Sequence, residues 1–460
     1  MRVVMFSMTP LFADRSMGGA QKQLRKVALH LAQEGHTVEV LCTRRSPDAL
    51  EPFHWHPNAL VKPVLRFKQP FPEPYDTPIY NIANAVADVI EACQRADVFY
   101  SHDGGLIFPF VYTHTRSVVG LRSVLFSETL QSGLLFNADA LVVPSAYAAN
   151  VWLATAGQFY PELRERIHVI PNGLDFAVYH PDGRSDDLRE RLGLPNGRYL
   201  LYPHRPEDGK GIRQSIAVLD RIVNHCGQRD VYLLVPQWID AALAPHVRAY
   251  YEGLKAEISA LGLQAHVVFH PWISDDDVPA YFRLGSVTLA LGNYVETFGN
   301  TPYESLACGT PVVAANVAAY RGALPSAYTC DYGDVETAAE RVLSFLLHGD
   351  SRAEAAQRWL HARYQQAEMV QQYERLLLTP VRLPPMTHTY QTPHAYQLAP
   401  WCYVTPRGAI YHDFLGAAFE RTALVAALEE GTIAADHPLV PEARAEGFLV
   451  PSHITFLSVG

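Results

Sequence analysis

No two cysteines in this sequence stand in a CxxC spacing; Cys42, Cys93, Cys226, Cys308, Cys330 and Cys402 are scattered singly. That scatter excludes a zinc site of ordinary ligand spacing and a disulfide-stapled secreted domain, and it reads as buried thiols in a reducing cytoplasm. No run approaches the ~20 apolar residues that a membrane-spanning helix needs. The opening MRVVMFSMTP has too short an apolar stretch for a signal peptide and reads as a first strand. Positive charge is also short, with Lys+Arg 37 against Asp+Glu 47 and a formal net charge of −10. Binders of nucleic-acid phosphates carry a basic excess, so that class is excluded. The turn after the first strand offers SMGGA rather than GxGxxG, and no acidic residue closes TVEVLCTRR, which argues against a nicotinamide-dependent dehydrogenase. A metal-binding DxD at a strand end is missing too. The run Asp275, Asp276, Asp277 follows Ser274 and precedes VPAYFRL, so these carboxylates are expected to cap a helix start rather than hold a cation.

What is present describes a globular chain of two or three domains: 460 residues, 48% hydrophobic and 18% charged. Residues 2–8 are apolar and β-branched, as in a buried parallel strand. Gly18 and Gly19 follow, then a helix with Leu24, Val27, Ala28 and Leu31 at i, i+3, i+4 and i+7, a stop at Gly35 and the strand TVEVLC at 37–42. Strand, glycine turn, helix and strand make one βαβ unit. Residues 44–80, rich in proline, aromatics (Phe53, Trp55, Phe67, Phe71, Tyr75) and cations (Arg44, Arg45, Lys62, Arg66, Lys68), read as a long functional loop. Strands are expected again at 97–100, 108–113, 140–143 and 167–170, and PNGLDFAVYHPDG (171–183) as a connection between domains. A second α/β series begins at 198, with strands at RYLLYP, 231–236, 266–270, 286–291 and 311–315, the alternation of a doubly wound parallel sheet. A last helix ends near Leu378. Beyond it, WCYVTPRGAIYHDF (401–414) holds two strand-like runs, 417–431 reads as an amphipathic helix, and another helix begins near Pro441, which suggests a small winged-helix-like module.

Chemistry concentrates in ETFGNTPYESLACGTPVVAA (296–315). A strand ends near Leu291 and Gly299, Asn300 and Thr301 open a helix, whose free N–H groups and partial positive charge suit a diphosphate. Glu304, placed in that helix's first turn, is favoured there by the dipole alone; it could also accept both hydroxyls of a ribose. Upstream, HRPEDGKG sets Arg205 and Lys210 in a loop at a strand's carboxyl end, a position suited to binding an anion.

These segments resemble glycosyltransferase family 4, over roughly residues 1–380. The family's two glutamates, eight positions apart, are matched by Glu296 and Glu304 with ACGTPVVA following. Its Arg-and-Lys loop is matched by Arg205 and Lys210, although His204 replaces the usual glycine. IPNGLD (170–175) matches its IPNGxD segment, Gly18 and Gly19 its GG turn, and GHTVEV its GHxVxV run. The resemblance implies two facing Rossmann-like domains (GT-B) and a retaining, metal-independent transfer from a nucleoside-diphosphate-sugar, which is a substrate, with no cofactor. It implies a donor site in which Arg205 and Lys210 neutralise the leaving diphosphate. Glu304 would hold the ribose, and Glu296 with the following amides would hold the sugar. Gly18, Gly19, Asn172, Phe298, Gly299, Asn300 and Thr301 would line the donor. It also implies a histidine at a strand end of the first domain, matched to His114 in VYTHT, with His102 in SHDGG as competitor. Retention is usually explained by front-face attack assisted by the departing phosphate, so the glycosidase pairing of two carboxylates is not read onto Glu296 and Glu304.

The expected organisation is an acceptor domain at 1–175, a donor domain at 176–380 and an appended α+β module at 390–460. The acceptor is expected to be soluble and polar, a small molecule or glycan, and the chain cytoplasmic with no transmembrane segment. The module is expected either to brace the core or to bind acceptor or partner. The remaining alternatives are a non-catalytic nucleotide-sugar sensor or scaffold, and a nucleotide-sugar epimerase or a phosphorylase of the same architecture.

Overall fold

The computed structural model describes residues 1–16, 18–44, 51–68, 77–102, 108–112, 114–205, 207–237 and 244–458. The chain divides into two contact units, the first made of Met1–Asn172 with Ala367–Val459 and the second of Gly173–Gln366.

The first unit is built on β1 (Arg2–Ser7), β2 (Thr37–Thr43), β3 (Phe53–His56), β4 (Ala59–Leu65), β5 (Val98–His102), β6 (Arg116–Gly120), β7 (Ala140–Val143) and β8 (Ile167–Val169). They form one sheet in the order β3-β4-β2-β1-β5-β6-β7-β8, parallel throughout except where β3 meets β4. Helix α1 (Gly19–Gln33) buries Leu24, Val27, Ala28 and Leu31 against this sheet, the stripe its spacing predicts. Helices α2 (Ile79–Cys93), α3 (Ser127–Leu134) and α4 (Ala146–Ala154) follow; Ser145 caps α4 by accepting from the Ala148 amide at 3.1 Å.

Two expectations change here. Part of 44–80 is not loop: β3 and β4 form a hairpin that extends the sheet. The register slips between Leu41 and Thr43, opposite the stretch of β4 that holds Pro63, which is where a proline fits within a strand. Arg45, Phe71 and Tyr75 of that segment lie outside the described residues. The aromatic run at 108–113 is not a strand either. Pro109 opens a single 3-10 turn, Pro109–Val111, and the strand comes later as β6; Thr113 lies outside the described residues.

The second unit holds β9 (Arg198–Leu201), β10 (Val231–Gln237), β11 (Val267–Pro271), β12 (Val287–Ala290), β13 (Val312–Ala315) and β14 (Thr329–Cys330). The order is β11-β10-β9-β12-β13-β14, all parallel. The chain leaves β9 for β10 on one side and later sets β12 on the other, so the topological switch falls between β9 and β12, where such sheets bind ligands.

The chain then returns to the first unit. From the helix Gln366–Leu378, Met369, Val370, Tyr373 and Leu377 join that unit's core. Next, a strap crosses its surface. The Leu383 amide donates to Asp139 Oδ1 at 2.6 Å, Arg166 donates to the Pro384 carbonyl at 2.6 Å, and the Met386 amide donates to Asn137 Oδ1 at 3.2 Å. Two small antiparallel sheets follow, built from β15 (Ala395–Leu398), β16 (Cys402–Val404), β17 (Ile410–His412), β18 (Ala417–Phe419), β19 (Ile433–Ala434) and β20 (Leu449–Pro451), in the orders β19-β15-β20 and β16-β17-β18. Two short helices, Thr422–Ala427 and Val440–Ala445, accompany them. The tail therefore has more strand and less helix than a winged-helix reading allows. It clusters with the first unit: Tyr147 Oη donates to Asp413 Oδ2 at 2.9 Å, and buried Asn150 exchanges two hydrogen bonds with the Leu457 backbone at 2.9 and 2.7 Å. Among the described residues no helix is long and apolar enough to cross a membrane.

Candidate functional site

In the second unit, the loop after β9 is folded against the chain that follows β12. Tyr202 lies beneath it, its hydroxyl donating to the Arg205 carbonyl at 2.9 Å. Lys210 ends a 3-10 turn, Asp208–Lys210, and Gly211 after it is left-handed (φ 87°). A Cβ on Gly211 would come within 2.4 Å of the Gly292 amide nitrogen, and one on Gly292 within 2.2 Å of the Gly209 carbonyl oxygen. Two glycines thus let backbone pack on backbone, and the Tyr294 amide donates to the Gly209 carbonyl at 2.9 Å.

This packing brings two of the expected site residues together. The Lys210 ammonium donates to Glu296 Oε1 at 2.5 Å and lies 3.5 Å from the centroid of the Tyr294 ring. Arg205, whose side chain is 48% exposed, pairs with Glu207 at 3.3 Å. His204, where the family has glycine, turns its ring edge toward Tyr202 at 5.2 Å, and among the described residues its buried Nε2 has no hydrogen-bond partner. Burial, with Lys210 nearby, pushes its pKa down to about 3, so it is neutral at physiological pH.

Gly299 (φ 71°) caps the helix Asn300–Ala307, and a Cβ there would lie 2.2 Å from Tyr320 Oη. Asn300 and Thr301 stand at the helix start. Glu304 does not: it lies one turn further in, past the first-turn position expected of it. Tyr179 is buried beside Glu304, and that burial with the nearby carboxylate pushes its hydroxyl's pKa up. The Phe298 side chain is core, stacked on Tyr303 at 4.6 Å, so only its backbone is available to a ligand. Ala318 has φ 46°, the left-handed region that costs a residue with a Cβ about 1–2 kcal/mol, and the next amide, of Ala319, donates to the Glu296 carbonyl at 3.1 Å. Beneath the helix Ser305 Oγ meets Thr288 Oγ1 and the Thr310 carbonyl, both at 2.8 Å, locking it onto β12 and the turn into β13. Asp277 precedes the helix Val278–Leu284 and pairs with Arg191 at 2.6 Å; Arg191 holds its carboxyl below the usual range.

In the first unit, Gly18 caps α1 in extended backbone (φ −174°), and a Cβ there would meet nothing within 4 Å among the described residues. His102, at the carboxyl end of β5, donates from Nε2 to the Ala20 carbonyl at 2.8 Å, since a carbonyl can only accept. Its Nδ1 therefore accepts from Tyr100 Oη, also at 2.8 Å. Burial, then the nearby Arg122, pushes its pKa down to about 3. His114 stands elsewhere: it is exposed and precedes β6, so it lies at the amino edge of the sheet, away from Gly18 and Gly19. At the carboxyl end of β6 is Arg122, which donates to Tyr373 Oη at 3.1 Å and to Asn172 Oδ1.

Tyr294, Tyr179 and Arg122 were not among the residues singled out in the sequence. Tyr294 stood two places before Glu296 and could have been found there. Arg122 was hidden by the misplaced strand at 108–113.

The family pattern described as "Glycosyl transferases group 1" matches residues 185–359, and that described as "Glycosyltransferase Family 4" matches residues 17–178. The D-inositol 3-phosphate glycosyltransferase of Acidothermus cellulolyticus is 28% identical over 323 residues, 65% of this chain and 71% of the relative. That of Thermomonospora curvata is 31% identical over 218 residues, and the match spans 44% of this chain and less than half, 46%, of that relative's length. Among solved structures, the Anabaena protein HepE in complex with UDP and glucose superposes with a TM-score of 0.65 at 21% identity, covering 82% of this chain and 99% of that one. Sucrose-phosphate synthase from Thermosynechococcus elongatus gives a TM-score of 0.61 at 19% identity, covering 82% and 98%.

Proposed function

The chain belongs to the family 4 glycosyltransferases, and from that premise we propose that it transfers a sugar from a nucleoside-diphosphate-sugar to a soluble polar acceptor, with retention and without a divalent metal. The observation that carries this is the meeting of Lys210 with Glu296 beside the helix Asn300–Ala307, at the switch between β9 and β12. A cation, a carboxylate and a helix N-terminus at that edge suit one ligand type, a diphosphate joined to a polyhydroxyl group.

In this reading Lys210 and Arg205 stabilise the charge that grows on the departing diphosphate, the work a metal does elsewhere. Glu304, beside Tyr179, accepts from the ribose hydroxyls. Glu296 leaves Lys210 to accept from sugar hydroxyls, and Gly299, Asn300 and Thr301 offer amides to phosphate or sugar. The roles of Gly18, Gly19 and Asn172 rest on the family resemblance alone. His102 is the histidine that shares their edge of the sheet. The inositol phosphate in the relatives' name, a polyol phosphate, supports a small polar acceptor for this chain, and a cytoplasmic location accords with that.

The test is release of nucleoside diphosphate from a panel of UDP-, GDP- and ADP-sugars, with and without candidate acceptors and with EDTA. Release that depends on acceptor and survives EDTA is expected. Tight binding without any release supports the sensor alternative, and activity lost in EDTA and restored by magnesium or manganese overturns metal independence.

A further inference from the structure

Lys210 is held more tightly than a phosphate-binding lysine on a loop needs to be. Its side chain is only 14% exposed, and the backbone on both sides is fixed by the packing of Gly211 on Gly292 and by the Tyr294-to-Gly209 hydrogen bond. The ammonium has two anchors of different kinds. One is the Glu296 carboxylate at 2.5 Å; the other is the face of Tyr294, 3.5 Å from the ring centroid. The same short segment supplies both, because the Glu296 amide donates to the Tyr294 carbonyl at 2.8 Å in a tight bend.

The two anchors differ in what they do when a donor binds. Glu296 neutralises Lys210 and competes with phosphate for its N–H groups. An aromatic face attracts the cation through its quadrupole, leaves its charge intact and takes no hydrogen bond from it. We propose that Tyr294 is a positioning residue of the transfer reaction. Its ring keeps the Lys210 ammonium in place while the Glu296 carboxylate is exchanged for the donor's diphosphate. This rests on the reading of Lys210 as the diphosphate's cation. Without the ring, the lysine's flexible stem would swing once Glu296 let go, and the charge would no longer meet the leaving group in a fixed geometry.

The experiment compares Tyr294→Phe, Tyr294→Leu and Tyr294→Gln, each alone and combined with Lys210→Ala, in the full chain. Binding of UDP, GDP and ADP is followed by calorimetry, and turnover is measured with the donor whose diphosphate binds best. Leu and Gln are expected to lower kcat about tenfold, the scale of a desolvated ring–ammonium contact, with little change in the acceptor's KM. Phe, which keeps the face, should restore most of what Leu loses. In the Lys210→Ala background neither Leu nor Gln should cost anything more, because the ring acts only through the ammonium. Equal losses with and without Lys210, or a loss in Phe as large as in Leu, overturns the proposal; if Leu does not fold, the Gln and Phe comparison decides. Should Lys210→Ala be impaired while Leu and Gln turn over like the parent, only the role of Tyr294 fails. Should Lys210→Ala bind and turn over normally, the reading of the diphosphate site itself fails.

Discussion

Lys210 and Arg205 were legible as a pair of cations, yet their surroundings set them apart. Lys210 is sheltered and bonded to Glu296, whereas Arg205 is half in solvent and shared with Glu207. Lys210→Ala is therefore expected to lower kcat about 10²–10³-fold, and Arg205→Ala by less, with melting temperatures near the parent's; steady-state kinetics with a fixed donor checks the ranking. Glu304→Ala should instead raise the donor's KM more than it lowers kcat, because a ribose does not react. Glu296 and Glu304 could be read from a motif only nine residues long. Their bonding partners could not. Lys210 lies 86 positions from Glu296 in the chain, and only the fold brings the two within reach. His102 and His114 separate for a related reason: a residue's edge of a sheet depends on whether it ends or precedes its strand, and His102 ends β5 whereas His114 precedes β6.

At the level of elements, buried parallel strands announce themselves as apolar runs, so β1, β2, β9, β10 and β12 fall where the sequence suggests. Half-buried strands with a proline do not, and the β3–β4 hairpin, with Pro63 in β4, has the composition of a loop. Aromatic density is an equally poor guide where a proline starts a turn, as at Pro109. The contact between the loop after β9 and the chain after β12 depends on Gly211 twice, for its positive φ and for the missing Cβ against Gly292. Gly211→Ala is expected to cost about 1–3 kcal/mol, read from urea denaturation, and to reduce turnover as Lys210 shifts. Gly18→Ala meets neither obstacle and should leave stability nearly unchanged.

Over the whole molecule, each unit holds an imidazole that its surroundings keep neutral. His102 and His204 have pKa values pushed from 6.5 down to about 3, chiefly by burial and secondarily by Arg122 and Lys210. Between those values the unfolded chain takes up protons that the folded chain refuses. Stability is therefore complete above about pH 6.5 and declines as pH falls toward 3. A melting-temperature series over that range should show the slope, and His102→Gln should flatten it. The tail is a second matter of the whole. Because Asp413 and Leu457 bond to Tyr147 and Asn150, truncation after residue 385 is expected to leave an insoluble or much less stable protein. Asn150→Ala alone should cost about 1–3 kcal/mol in chemical denaturation.

The return of Ala367–Val459 to the first unit has a consequence for the order in which the protein is made. A ribosome delivers Met1–Asn172 first, but that segment lacks Met369, Tyr373 and Leu377 of its own core and the strap bonded to Asp139. At ~5–20 residues per second, the wait for them lasts roughly 10–40 s. The second unit, inserted between the two parts, emerges with its sheet whole while the first still exposes unpaired apolar surface. The half of the enzyme that starts first finishes last, and a nascent chain stalled before residue 367 should recruit chaperones that the finished protein does not.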